Sequence, residues 1–312
     1  KIADYTCQCT VSIGVTLIGS DGADSVESIL KRADLAMFHA KSDGRSGIRF
    51  FCDEMHAAVK ARASLEAEIR AALSEQRFGL FYQPQVNNDG RIVGAEALLR
   101  LLHPEKGVMA PGEFVSLAED IGLMVPIGDW VLDAACEQLQ AWSHDPRTQA
   151  LSISVNVSAQ QFRKGDLIDK VRRALLRTGA NPERLKLELT ETLLLNDVEA
   201  TIDQMKAMNR IGITFCLDDF GTGYSSLSYL RRLPIHHLKI DKSFVQDIPD
   251  SGACAFVRTI LALARHLGLV VIAEGVGNAA QRDFLKNAGC DLYQGYHFGR
   301  PMPMDEFKPL LH

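Results

Sequence analysis

The sequence contains no run of about 18 apolar residues, which is the length that an apolar helix needs to cross a bilayer. It also opens without a charged leader and an apolar signal segment. These absences predict a cytoplasmic protein that makes no membrane contact of its own. Because the sequence starts with Lys1 in a strand-like stretch, we expect any anchoring or sensing parts to lie upstream of it.

The sequence has no CxxC pair, and its seven cysteines are scattered. An odd number without paired spacing gives no indication of a disulfide framework or a zinc site. Buried thiols in a reducing compartment are the expected state. No GxGxxG follows a strand-like run either, so nothing in the sequence supports a dinucleotide-binding fold.

Charge of one sign is not in large excess. The 34 Lys plus Arg and 39 Asp plus Glu give a formal charge of −5, and 46% of the residues are hydrophobic. This composition excludes a disordered or collagen-like chain, and its mild acidity argues against a nucleic-acid polymer as the main partner. The length of 312 residues fits one barrel of roughly 250 residues with a small additional piece.

The first 52 residues form a separate part of the sequence. Alternation over residues 9–15 predicts a strand, helical spacing over 24–41 predicts a helix, and turn-forming residues at 42–45 end that helix. About fifty residues rarely bury enough surface to fold alone, so we interpret them as the end of a domain. Residues 53–76, rich in Ala, Glu, Arg and Leu, predict a connector helix.

From residue 77 to residue 312, short β-rich runs alternate with helix-length segments. The eight strand candidates are residues 80–83, 92–100, 151–157, 185–189, 213–218, 237–241, 270–274 and 292–296. This alternation predicts an α/β domain with a mainly parallel sheet. The eight-fold count favours closure of that sheet into a (β/α)8 TIM-like barrel.

Several of these strands carry polar side chains on one face, because successive side chains of a strand alternate. In residues 185–189 the leucines share one face and Glu188 takes the other, and Asn156 likewise opposes its aliphatic neighbours. The aliphatic faces should pack on the outer helices, so the polar residues should point into the barrel near its C-terminal mouth. The same test gives inner-face positions to Glu96, Arg100, Thr214, Cys216, Asp218, Lys239 and Asp241.

Asp219 follows Asp218 directly and is therefore expected to project from the loop where the strand ends. Taken singly, each acidic residue has an ordinary explanation, such as an amphipathic surface strand or the start of a loop. Together, however, these residues all fall at strand ends of a single barrel. Burying many carboxylates there without cations would cost several kcal/mol for each carboxylate. The converging residues are Glu96, Asn156, Glu188, Asp218, Asp219 and Glu274.

All of these ligands are oxygen donors, which favours Mg²⁺ or Mn²⁺ over zinc or copper. Two such ions roughly 3.5 to 4 Å apart suit in-line attack on a phosphodiester. Lys239 and Arg100 supply positive charge beside the reacting phosphate.

Seven ordered motifs carry a family resemblance. They are EALLR at 96–100, SVNVSAQQF at 154–162, LELTET at 187–192, DDFGTGYSSLSYL at 218–230, LKIDKSFV at 238–245, AEGV at 273–276 and QGYHFGRP at 294–301. With them, residues 80–310 resemble an EAL domain, the family of cyclic di-GMP phosphodiesterases. Residues 9–15 and 33–51 resemble the C-terminal third of a GGDEF diguanylate cyclase domain. The loop that names the GGDEF family would lie upstream, so no cyclase activity is implied.

The EAL resemblance implies metal-dependent hydrolysis of cyclic di-GMP to the linear dinucleotide pGpG in bacterial second-messenger signalling, and a homodimer through the EAL domain. It assigns the first ion to Glu96, Asn156, Glu188 and Asp218, and the second to Asp218, Asp219 and Glu274. The implied catalytic residues are Lys239, which would position the attacking water, Glu191, which would anchor the loop 219–226, and the acids Asp219 and Glu274. The implied substrate-binding residues are Gln83, Arg100, Asp241 and Gln294.

One departure from the family concerns the residues after AEGV. The family usually continues with Glu-Thr, whereas this chain has Gly277 and Asn278. A carboxylate near the second ion is therefore missing.

Two other functions share features with this sequence. An EAL domain that binds cyclic di-GMP as a receptor usually lacks a metal ligand or the loop acid, and none of these is missing here. A lysine on the sixth strand of a barrel suits a Schiff-base aldolase when desolvation lowers its pKa. The carboxylates around Lys239 favour its charged form and oppose that role.

Overall fold

The computed structural model describes residues 10–18, 25–42, 46–191, 193, 198–222 and 230–311. The chain divides into two compact units, Lys1–Ala71 and Ala72–His312. Within the described residues, no helix is both long enough and apolar enough to span a membrane.

The first unit has a small parallel sheet and two helices. Its elements are β1 (Ile13–Val15), α1 (Val26–Ser42), β2 (Ile48–Phe50) and α2 (Asp53–Ser74), the last of which runs past the division between the units. Gly14 lets β1 lie against α1, because a Cβ at this position would collide with the backbone of Ala33 and Met37. The helices agree with the expected segments 24–41 and 53–76, whereas the turn residues 43–45 lie outside the described residues.

The described residues of the second unit form nine strands. They are β3 (Phe78–Asn87), β4 (Ile92–His103), β5 (Gly107–Met109), β6 (Ser152–Asn156), β7 (Leu185–Thr190), β8 (Thr214–Phe220), β9 (His237–Ile240), β10 (Val270–Ala273) and β11 (Leu292–Gln294). The sheet order is β3-β11-β10-β9-β8-β7-β6-β4-β5, and β3 also pairs with β4. That pairing closes eight of the strands into the predicted barrel, with β5 added outside it on β4.

One strand of the barrel runs against the others. β3 is antiparallel to both β4 and β11, whereas the remaining barrel strands pair in parallel. The expectation of a helix-length segment after the first strand is therefore wrong. β3 and β4 form a hairpin instead, whose turn is held by the Asn87 side chain accepting hydrogen bonds from the backbone of Asp89 and Arg91. A connection this short can join only antiparallel strands.

Helices surround the barrel and cover the outward faces of its strands. They are α3 (Val115–Asp120), α4 (Met124–Ser143), α5 (Ala159–Arg163), α6 (Leu167–Thr178), α7 (Val198–Asn209), α8 (Lys242–Gln246), α9 (Ser251–Leu267), α10 (Ala279–Ala288) and α11 (Met304–Phe307). The outward aliphatic side chains, such as Ile153, Val155 and Leu187, are fully buried. Polar residues are thus left for the inner face, as the alternation predicts.

Candidate active site

The inner face of the barrel gathers the acidic residues at the carboxyl ends of its parallel strands. Asn156 ends β6 and lies opposite Glu188 of β7, and Glu96 of β4 pairs with Ser154 of β6. Asp218 is in β8, and Glu274 directly follows β10. Parallel strands bring their carboxyl ends to one rim, so residues far apart in sequence meet there.

Lys239 of β9 stands at the centre of this cluster and is almost completely buried. Its ammonium Nζ contacts four carboxylates: Glu188 Oε2 at 2.6 Å, Glu274 Oε1 at 2.7 Å, Glu96 Oε2 at 3.1 Å and Asp218 Oδ2 at 3.5 Å. One positive charge thus faces several negative ones in a region with little water. The cluster as a whole retains a surplus of negative charge.

Amide side chains fix the position of Glu96. Asn156 Nδ2 donates to Glu96 Oε1 at 2.6 Å, and Gln294 Nε2 donates to Glu96 Oε2 at 2.5 Å. Gln294 Nε2 also donates to Gln83 Oε1 at 3.1 Å. Both oxygens of Glu96 therefore have partners, which orients this carboxylate before any ligand arrives.

Asp219 is held by an irregularity in β8 and not by a loop. The strand continues to Phe220, and its register with β9 shifts between Leu217 and Phe220. Asp219 has a φ of 53°, which is uncommon for a residue with a side chain. This shift corrects the expectation that Asp219 projects beyond the strand end, because a local break in the pleat can put two successive side chains on one side.

Burial and mutual repulsion perturb the acids. Burial raises the pKa of Glu188 well above its ordinary value, with the charge of Glu96 adding to the effect. Burial likewise raises the pKa of Glu274 to about 7. Burial also raises the pKa of Asp219, to which Asp218 contributes. These acids lack enough positive charge around them.

The pKa values of Glu96 and Lys239 shift in the directions that favour the charged forms of these two residues. Burial opposes the ionisation of Glu96, but the charge of Lys239 and the hydrogen bonds from Gln294 and Asn156 outweigh it and lower the pKa of Glu96. Burial also opposes the ammonium form of Lys239, yet the surrounding carboxylates raise the pKa of Lys239 well above its ordinary value. A neutral Lys239 amine, which a Schiff-base mechanism would need, is therefore disfavoured.

The cluster has the donor chemistry of a divalent-cation site. Asp218, Asp219 and Glu274 each offer an oxygen atom, and these atoms lie within 4.8 Å of one another. Glu188 Oε1 is buried, and no residue that the structure describes forms a hydrogen bond with it. A surplus of carboxylates with an unpaired buried oxygen fits a cation that prefers oxygen ligands.

Glu191 follows β7 and is buried, with 6% of its surface exposed. Neither of its carboxylate oxygens has a hydrogen-bond partner among the described residues. The predicted contact with the loop 219–226 is not seen for residues 219–222, and residues 223–229 lie outside the described residues. Its role as the loop anchor stays a prediction.

A cavity of about 640 Å³ opens beside the acidic rim, and three of the four predicted substrate-binding residues line it: Gln83, Arg100 and Gln294. Arg100 Nη1 donates to the carbonyl of Leu99 at 2.8 Å, and its guanidinium lies 5.3 Å from the centre of the Phe81 ring. Asp241 instead caps α8 by accepting from the backbone N of Ser243 at 3.0 Å. Asp241 is not among the described residues that line this cavity.

A second cavity, of about 480 Å³, adjoins the first and shares Leu98 and Pro111 with it. Its walls are mainly apolar, with Met124 and Val131 contributed by α4. Asn156 reaches this cavity from the rim. The smaller cavity therefore lies next to the larger one along β4, between that strand and α4.

The sequence-based reasoning missed two inward-facing residues. Gln85 is fully buried, and its Nε2 donates to Gln294 Oε1 at 3.0 Å. Lys186 is buried two positions before Glu188, and burial lowers the pKa of its ammonium. Lys186 shares strand parity with Glu188, and Gln85 shares it with Gln83, which the resemblance assigns to the substrate, so alternation would have found both.

Comparison with known proteins identifies the family. The family model described as "EAL domain" matches residues 66–301. The chain belongs to the EAL domain family.

Relatives of this EAL domain include two proteins of Pseudomonas aeruginosa. The chain is 43% identical over 308 residues to the bifunctional diguanylate cyclase/cyclic di-GMP phosphodiesterase MucR, which covers 98% of this chain and 45% of MucR. It is 39% identical over 308 residues to the cyclic di-GMP phosphodiesterase NbdA, covering 98% of this chain and 39% of NbdA. The chain thus spans less than half the length of these relatives.

A solved structure described as the PaMucR phosphodiesterase in complex with c-di-GMP has a TM-score of 0.76 and 44% sequence identity with this chain. The match covers 78% of this chain and 99% of that one. The likeness therefore includes essentially all of a domain that is described with the cyclic dinucleotide bound.

Gly277, which stands where the EAL family usually has Glu, lies in the wall of the larger cavity. Gly277 N donates to Gln281 Oε1 at 2.8 Å. A Cβ at this position would have Gln281 Oε1 at 3.5 Å and the carbonyl of Gly275 at 3.9 Å, both ordinary contact distances. The backbone therefore leaves room here for the first atom of a side chain.

Proposed function

We propose that this EAL domain is a divalent-metal-dependent phosphodiesterase that hydrolyses cyclic di-GMP to pGpG in bacterial second-messenger signalling. The observation that carries the proposal is the ring of carboxylates around Lys239, placed beside a cavity of about 640 Å³. The names of MucR and NbdA, which describe them as acting on cyclic di-GMP, support the choice of substrate.

The proposed metals are two ions of Mg²⁺ or Mn²⁺. Glu96, Asn156, Glu188 and Asp218 would hold one ion, and Asp218, Asp219 and Glu274 would hold the other. When bound, such ions neutralise phosphate oxygens and lower the pKa of water. The oxygen-only donor set and the unpaired Glu188 Oε1 support this assignment.

Lys239 is proposed to hold the attacking water. Its ammonium can donate three hydrogen bonds, and its position among four carboxylates fixes where they point. The water oxygen would bond to phosphorus as the bond from phosphorus to the 3′-oxygen breaks, and the leaving oxygen would take up a proton. The product then carries a 5′-phosphate and a free 3′-hydroxyl, which is pGpG.

The two adjoining cavities are proposed to take the two halves of the dinucleotide. Gln83, Arg100 and Gln294 would contact it in the larger cavity, and the apolar walls of the smaller one suit a base. Asp241 is proposed to contact it from the start of α8. A homodimer through the EAL domain, a cytoplasmic location, and a GGDEF remnant in residues 1–52 are further parts of the proposal.

The test separates hydrolysis from a receptor function. The protein is incubated with cyclic di-GMP and Mg²⁺, and pGpG is measured by chromatography while binding is measured in parallel by equilibrium dialysis. We expect pGpG to accumulate. Binding without pGpG would show a receptor, and the absence of both would overturn the proposal.

A further inference from the structure

The larger cavity is lined by charged residues of both signs. The acidic ones are Glu96, Asp218 and Glu274, and the basic ones are Arg100 and Lys242. The acids belong to the cluster around Lys239. The two basic residues therefore have to be explained separately.

Arg100 already has partners within the protein. Its Nη1 donates to the carbonyl of Leu99, and its guanidinium lies over the ring of Phe81. Lys242, by contrast, is exposed, and its ammonium forms no hydrogen bond or ion pair with any residue that the structure describes. Lys242 is thus the basic side chain of this cavity whose charge has no partner among the described residues.

The position of Lys242 works against local helix stability. Lys242 is the first residue of α8, whose N-cap is Asp241. A cation at a helix N-terminus is unfavourable because the exposed N–H groups give that end a partial positive charge. Residues that break a local rule in this way are often found at functional sites.

Close packing against Gly275 fixes the Cα and Cβ atoms of Lys242. Gly275, which directly follows Glu274, has a φ of 70°, and a Cβ there would lie 2.6 Å from Lys242 Cβ and 3.2 Å from its Cα. Only glycine permits this approach without displacing α8. The stem of Lys242 is thereby held against the segment that carries Glu274.

We propose that Lys242 binds the phosphate of the cyclic dinucleotide that is not cleaved. This inference rests on the proposed function. A cyclic dinucleotide carries two phosphodiester anions, and the acidic rim with its cations takes the scissile one. The other phosphate enters the same cavity and needs a separate cation, since burying an unpaired charge is costly. Lys242 supplies that cation from the wall next to Glu274.

A merely local role for Lys242 would have a different consequence. Its charge lowers the pKa of Asp219, although burial and nearby carboxylates raise that pKa overall. If Lys242 served only to favour ionised Asp219, its removal would alter metal binding. The proposal predicts unchanged metal binding and weaker binding of the dinucleotide.

The experiment compares two ligands in Ca²⁺, which we expect to support binding without turnover. Cyclic di-GMP has two phosphodiesters, and linear GpG has one. Lys242→Gln should weaken cyclic di-GMP binding about tenfold and GpG binding less than about twofold, as expected for the loss of one charge-assisted contact. Lys242→Arg should restore most of the affinity. Lys206→Gln, at an exposed position on α7, is the control and should change neither.

Equal effects on both ligands, no effect on either, or weaker Mn²⁺ binding measured by electron paramagnetic resonance would overturn the proposal. In steady-state assays with Mg²⁺, Lys242→Gln should raise KM about tenfold and leave kcat unchanged. If the wild-type protein binds cyclic di-GMP without cleaving it, the proposed function fails, but the binding comparison still decides the role of Lys242. If the wild-type protein does not bind cyclic di-GMP, both proposals fail.

Discussion

The ammonium of Lys239 lies 2.6 Å from Glu188 Oε2, and the two side chains are 1% and 0% exposed. They come from β9 and β7, which lie on either side of β8 in the sheet, so the contact is made inside the barrel over β8. Removing one partner of a buried pair leaves the other charge without compensation. This relationship makes Lys239 important for stability as well as for the proposed chemistry.

The Lys239→Met variant should therefore be less stable than the wild type and should no longer hydrolyse cyclic di-GMP. We expect the free energy of unfolding in EDTA to fall by about 3 to 5 kcal/mol, because four carboxylates lose their shared cation. Mg²⁺ should recover part of that stability by supplying positive charge to the same acids. Urea denaturation with and without Mg²⁺ measures both effects, with the exposed Lys206→Met as the control. A stability equal to that of the wild type would contradict the assignment.

Glu96→Gln should lower the turnover of cyclic di-GMP by about a hundredfold or more, because it removes a proposed ligand from an arrangement that acts as a unit. The amide has nearly the same shape, so the fold should be kept. Steady-state rates and circular dichroism together check this. Glu105→Gln, which changes an exposed acid between β4 and β5 that lines neither cavity, is the matched control for loss of one charge. Near-normal turnover in Glu96→Gln would show that Glu96 is not a metal ligand.

The stability of the metal-free protein should depend on pH through Glu274. Burial raises the pKa of Glu274 from its ordinary 4.5 to about 7, so the folded state holds this proton more tightly than the unfolded state does. The stabilising contribution is fully present below pH 4.5 and is lost as the pH rises through 7. Glu274→Gln cannot titrate. Its stability relative to the wild type should therefore increase between pH 5 and pH 8 in urea denaturation with EDTA. A difference that stays constant with pH would contradict the raised pKa.

Glu191→Gln should cut turnover about tenfold or more and raise the Mg²⁺ concentration needed for half-maximal rate, if Glu191 anchors the loop 219–226 that positions Asp219. Thermal stability should stay nearly unchanged, because within the described part of the barrel neither oxygen of Glu191 has a hydrogen-bond partner to lose. The alternative is that Glu191 only offsets the positive end of a helix, at about 0.3 to 1 kcal/mol. In that case stability falls slightly and turnover does not change. Glu183→Gln, outside the barrel strands, is the control.

Strand alternation predicted most of the barrel and its inner face. The leucines and Glu188 of β7 occupy opposite faces, as the period of two requires. The reversed direction of β3 was not predicted, because a β-rich run does not indicate strand direction and the strand candidate 80–83 ends before β3 does, at Asn87. The alternation of apolar and polar residues could not predict the register shift at Asp219 either, because the shift depends on how β8 pairs with β9.

The contacts of Lys239 could not be derived from sequence spacing. Alternation places its side chain inside the barrel, but the barrel's closure and strand register decide which carboxylates it meets. The perturbed pKa of Glu274 likewise depends on burial by residues distant in sequence. Residue types and parity therefore predicted the members of the cluster, and the three-dimensional structure supplied their pairing.

Metal dependence tests the central claim most directly. The protein is stripped with EDTA, returned to buffers containing Mg²⁺, Mn²⁺ or Ca²⁺, and assayed for pGpG formation from cyclic di-GMP. We expect no product in EDTA, recovery with Mg²⁺ or Mn²⁺, and inhibition by Ca²⁺, whose longer bonds and looser geometry suit a two-ion cluster poorly. Full production of pGpG in EDTA would contradict the account.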